Sequence, residues 1–119
     1  DSAAADYKSG KLRTIILVGH SAGATAVTSA AERLGQLGVP VKLAIGLDPL
    51  TRATASGRVG RYINFYVGNG AGQQVGKSAK FSGKLQNINV QNMSDVGHFN
   101  IDKHRAVQAR VIREIRSSL

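Results

Sequence analysis

The run Leu12–Val18 breaks directly into Gly19-His20-Ser21-Ala22-Gly23, and small residues follow at Ala24, Thr25 and Ala26. An apolar, β-branched run of this kind reads as a strand buried on both faces. Glycines on either side of the turn let a strand and the next helix approach closely around a residue with strained φ/ψ. A serine at the apex of such a turn presents its Oγ outward, where a base can reach it and raise its poor nucleophilicity. The pattern strand, G-x-S-x-G, helix is the nucleophile elbow, and it commits this part of the chain to an α/β arrangement.

The rest of the chain continues the alternation. Residues 1–11 read as the end of a helix leading into the first strand. A helix from Ala22 to about Leu37 stops at Gly38, with Pro40 just beyond. Val41–Leu47 is a second buried strand and ends in Asp48-Pro49. Residues 50–60 and Gly68–Gly83 read as loops, with a third strand at Tyr62–Val67 between them. A short fourth strand is expected at Asn87–Gln91, then a polar turn at 92–100 that carries His98. A last helix from about Ile101 to Ser117 repeats Val107, Val111 and Ile115 on one face. Strands alternating with helices predict an α/β fold, a single domain built on a mostly parallel sheet of about four strands flanked by helices.

Composition closes off several alternatives. The 119 residues, 42% hydrophobic and 19% charged, suit one globular domain. No apolar run approaches the ~18 residues of a membrane span. There is no cysteine, so neither a disulfide nor a thiolate metal site is available, and three scattered histidines do not make metal-ligand spacing. The net charge of +9 comes from clusters at Arg52, Arg58 and Arg61, at Lys77, Lys80 and Lys84, and along the last helix. A nucleic-acid surface would interleave such charge with stacking aromatics, and Phe65 and Tyr66 read as strand residues instead. The charge is expected to be a solvated surface or to favour an anionic substrate.

From the elbow onward the chain resembles the C-terminal half of the α/β-hydrolase family, in its serine esterase and lipase-like branch. The resemblance implies a partial α/β-hydrolase fold whose N-terminal half is absent, and acyl transfer on a carboxylic ester or thioester with no cofactor and no metal. It puts the base in the turn after the last strand, which selects His98 over His20 inside the elbow and His104 in the last helix. For the acid, Asp1 and Asp6 precede the elbow, Glu32 and Glu114 fall within helices, and Asp95 and Asp102 crowd His98. That leaves Asp48, in a Leu-Asp-Pro context similar to the lipase branch, and the order Ser21…Asp48…His98 is the hydrolase order. The Ala22 N–H would be one oxyanion donor. The second normally comes from a loop upstream of the elbow, so the chain alone is expected to be a weak enzyme.

Two other readings remain. The chain could be a non-catalytic remnant or partner-binding subunit, associating through the open edge of its first strand with an N-terminal half or as a homodimer. Residues 71–78, Ala-Gly-Gln-Gln-Val-Gly-Lys-Ser, also nearly spell a phosphate-binding P-loop. A P-loop must open into a helix, whereas the sequence runs on to Gly83 and another strand, so a mobile rim of the acyl site is expected there.

Overall fold

The computed structural model describes residues 2–10 and 14–119. Its elements are α1 (Ser2–Lys8), β1 (Ile16–His20), α2 (Ala22–Gln36), β2 (Val41–Leu47), β3 (Ala53–Tyr66), β4 (Val75–Asn89) and α3 (Arg105–Ser118). The four strands form one sheet in the order β1-β2-β3-β4, every pair parallel. This is an α/β protein. The first strand begins later than its hydrophobic run, and the part of that run at residues 12–13 lies outside the described residues.

Alternation along the strands divides the core. Leu43, Ile45 and Leu47 of β2 join Ile63 and Phe65 of β3 on the face covered by α3. Ala44, Val59 and Tyr62 face the other way, toward Val27, Ala31 and Leu34 of α2 and Ala4 of α1. Both faces of the central strands are buried, which is why β2 is apolar from Leu43 to Leu47, with only Lys42 near its start exposed. Arg61 of β3 crosses to α3, where its guanidinium holds the Glu114 carboxylate and also donates to the Ser118 hydroxyl at 2.9 Å. That contact draws the Glu114 carboxyl below its ordinary pKa, with Arg110 adding to the effect.

The two segments expected as loops, 50–60 and 68–83, are largely strand. A straight β3 would run about 46 Å, yet the connection 67–74 can span only about 30 Å before β4 begins beside Ala53. The strands therefore bend. Ala53–Ala55 pairs with Val75–Lys77, and from Val59 onward β3 pairs with β2, with pairing shifts between these stretches. The bend sits at Gly57, whose φ is +94° and whose Cβ, if present, would lie 2.4 Å from the Ala31 carbonyl oxygen of α2. Gly83 makes the corresponding bend in β4 at φ +135°, against the Val59 carbonyl. Extended chain thus does the work that a crossover helix does in an ordinary βαβ unit. Gly, Ser, Lys and Arg in these segments hid the strands from a hydrophobic-periodicity reading, because one side of the outer layer is solvated.

Two smaller expectations also shift. β4 ends at Asn89, and α3 starts at Arg105 after a series of turns, later than Ile101. His104 is the residue preceding α3, and its Nε2 lies 2.7 Å from the Ser94 carbonyl.

Candidate active site

Register places the first two groups. His20 pairs with Leu47 at the ends of β1 and β2, so Ser21 and Asp48 leave adjacent strands at the same level. The Ser21 N–H donates to the Leu47 carbonyl at 2.9 Å, and the Asp48 N–H donates to the Phe65 carbonyl at 2.7 Å. Groups beyond the carboxyl ends of parallel strands converge on one edge, as they do here.

Both residues sit in unusual backbone conformations. Ser21 has φ 59° and ψ −118°, outside the helical and strand wells, at a cost on the order of 1–3 kcal/mol. α2 starts on the next residue, so the turn is as sharp as the G-x-S-x-G spacing implies. A Cβ on Gly19 would lie 2.1 Å from the Gly23 carbonyl oxygen, so strand and helix touch backbone to backbone there. A Cβ on Gly23 would meet nothing within 4 Å. Of the two glycines of the G-x-S-x-G pattern, only the first is required by packing. Asp48 is left-handed at φ 53°, a region that short polar residues tolerate best.

His98 comes from much farther away. It follows β4, at the opposite edge of the sheet from β1. The segment after β4 returns across the α3 face, because Val90, Met93, Val96 and Ile101 join the apolar cluster there. Inside the loop, Asn100 accepts from the Gly97 N–H at 2.7 Å and donates to the Asp95 carbonyl at 2.6 Å.

The three side chains form one hydrogen-bonded chain. His98 Nδ1 lies 2.7 Å from Asp48 Oδ2, and His98 Nε2 lies 3.1 Å from Ser21 Oγ. A carboxylate only accepts, so Nδ1 carries the proton and Nε2 turns its lone pair toward the serine hydroxyl. Asp48 is 1% exposed, and its Oδ1 is held by the Val67 N–H at 2.8 Å. Both carboxylate oxygens are thus occupied, which offsets the cost of burying the charge. The N–H of Ala22 belongs to the first turn of α2, whose donors have no carbonyl within the helix.

Several residues at this site carried no sequence signal. Gly72 packs so tightly on Asp48 that a Cβ would fall 1.8 Å from Oδ1. Its loop is fastened by the buried Asn64, which donates to the Gln73 carbonyl at 2.8 Å and to Asn87 Oδ1 at 3.0 Å. A glycine in a Gly-rich stretch and an asparagine in a strand look unremarkable until the fold brings them together. His20 is also more than a packing residue: its Nε2 lies 2.8 Å from the His98 carbonyl oxygen.

Of the 71–78 segment expected as a rim, Gly72 packs on Asp48, while the basic part runs on as β4. Val75 onward is strand, so no helix opens after Lys77 to cradle a phosphate, and Lys80 lies with Gly35, Gly57 and Arg58 at the far end of α2 from Ser21. A groove of about 420 Å³ runs beside β1, lined by Val18, His20, Leu47, Val107, Val111 and Ile112 among others; Ser21 does not line it. Among the described residues, no cluster of three or more His, Asp or Glu could hold a metal, and no helix is long and apolar enough to cross a membrane.

Fold and site together define an α/β protein with a buried carboxylate, an imidazole and a serine hydroxyl in series. Comparison with family models, curated proteins and solved structures finds no match.

Proposed function

We propose that this chain is a serine hydrolase of the α/β-hydrolase type, cleaving a carboxylic ester or thioester through an acyl-enzyme on Ser21. The observation that supports it best is the hydrogen-bonded series Asp48–His98–Ser21, whose members lie 50 and 77 residues apart in sequence. His98 Nε2 takes the hydroxyl proton as Ser21 Oγ bonds to the substrate carbonyl carbon. The resulting oxyanion lies toward the Ala22 N–H at the positive end of α2. Collapse expels the alcohol or thiol, which receives the proton from His98, and water then releases the acyl group by the same steps. Asp48 keeps the His98 ring in the required tautomer and supports the imidazolium as it forms.

Labelling with a fluorophosphonate probe, located by peptide mass, tests this. Modification at Ser21 that is abolished by Ser21→Ala and reduced at least 10²-fold by His98→Ala is expected. Modification elsewhere, or equal modification in His98→Ala, overturns the reading.

One observation favours a second reading, a partner-binding role. β1 is an edge strand, and Val18 beside its groove is 46% exposed. In that reading a second copy pairs along β1. Light scattering across a concentration series then shows a dimer that Val18→Lys dissociates; a monomer throughout removes it.

A further inference from the structure

The His20–His98 contact has a geometry that a packing histidine does not need. A carbonyl oxygen only accepts, so His20 Nε2 carries the proton and donates to the His98 backbone at 2.8 Å. The two rings stand 5.1 Å apart and tilted by 37°, so the ring of His20 also buttresses the ring of His98. On the other side of His20, Asp102 Oδ2 lies 3.9 Å from Nδ1, and Asp102 Oδ1 is buried with no partner among the described residues. His20 is therefore confined from both sides by the loop that carries the base.

His20 is also the residue before Ser21. Its backbone enters the strained turn, while its side chain grips the backbone of His98. The atoms close a ring: Ser21 Oγ to His98 Nε2, His98 carbonyl to His20 Nε2, and the peptide bond from His20 back to Ser21. The hydrogen bonds of Asn100 and His104 run within the 94–104 segment, and the His98 ring reaches out to Asp48. The His20 bond holds the backbone of the base from β1, the strand that leads into Ser21.

We infer that His20 is a positioning residue, holding the His98 backbone so that Nε2 stays within reach of Ser21 Oγ. This rests on the acyl-transfer reading above for its effect on rate, but not for its effect on geometry. Displacing a reacting group by about 1 Å can cost on the order of 10² in rate.

The test compares the wild type with His20→Ala, His20→Gln and His20→Phe. Glutamine keeps an N–H donor at a similar reach, and phenylalanine keeps the ring without the donor. Two quantities are read: the rate of fluorophosphonate labelling at Ser21, and the low-field proton signal of His98 Nδ1–H in ¹⁵N-histidine-labelled protein. The Phe and Ala variants are expected to label about 10–100-fold more slowly and to lose the Nδ1–H signal to solvent exchange. The Gln variant is expected to keep the signal and to label within about threefold of wild type. Phenylalanine guards against a folding defect in the alanine variant. Wild-type behaviour in His20→Phe, or a Gln variant as impaired as Phe, overturns the inference. If the wild type is never labelled but the signal still follows the donor, acyl transfer falls and the positioning role stands.

Discussion

At the scale of single residues, Gly19 and Gly23 look equivalent in the G-x-S-x-G pattern and differ in the structure. Gly19 faces the backbone of Gly23 with no room for a methyl group, whereas Gly23 is helical with open space where its Cβ would be. Gly19→Ala is expected to push β1 and α2 apart and destabilise the chain by several kcal/mol, with a misplaced Ser21. Gly23→Ala should be neutral or stabilising by up to about 1 kcal/mol, since alanine loses less entropy in a helix. Urea unfolding of the two variants checks both signs. Gly72 belongs with Gly19: its missing side chain is what lets the Asp48 carboxylate sit buried between the Val67 N–H and His98.

At the scale of elements, the bent strands are the least ordinary part of the fold. β3 passes over α2 before it pairs with β2, and Gly57 meets Gly35 and the Ala31 carbonyl where the layers touch. Both the positive φ and the close approach exclude a side chain. Gly57→Ala is expected to cost roughly 2 kcal/mol or more, because strain at φ > 0 adds to a clash with rigid backbone. Thermal unfolding should show this, with a loss well beyond that of Gly76→Ala on β4, where a Cβ would meet nothing nearer than 4.0 Å. The outer layer these bends create carries the 71–75 loop onto the site through Asn64 and Asn87, so the strand geometry and the burial of Asp48 are coupled.

At the scale of the whole molecule, α3 is tied to the sheet by apolar contacts through Val107 and by Arg61 of β3 on Glu114. Because the Glu114 carboxyl ionises more readily in the folded chain, its contribution is fully present above the ordinary carboxylate range. It is lost as pH falls through the lowered folded-state value. Arg61→Met should destabilise the protein by about 1–2 kcal/mol at pH 7, the partial exposure of the arginine keeping the figure modest. Once acid has protonated Glu114, the ion-pair part of the difference should be lost, leaving what the Ser118 hydrogen bond and the arginine stem contribute. Urea titrations at neutral and acid pH test this, and an undiminished difference in acid would assign the effect to the Ser118 hydrogen bond and packing of the arginine stem. Since α3 and the loop before it cover one apolar face, loosening this tie should also slow labelling at Ser21.

The sequence by itself determined the elements whose signal is local: the strand–turn–helix around Ser21, the extent of β2, the stop of α2 at Gly38, and the apolar face of α3. Each rests on periodicity or on a backbone conformation that few residues can adopt. The α/β class with a parallel sheet followed from their alternation. The bends of β3 and β4 did not, because they depend on what lies beneath Gly57 and Gly83, and one face of those segments is polar. The same holds at the site. Ser21 could be named as a candidate from its motif, and Asp48 and His98 with the help of the family resemblance, but their contact is a product of register and of the return of the post-β4 loop across the sheet. The roles of Gly72, Asn64 and His20 arise only from that contact, since a missing Cβ or a single ring nitrogen acquires meaning from neighbours tens of residues away.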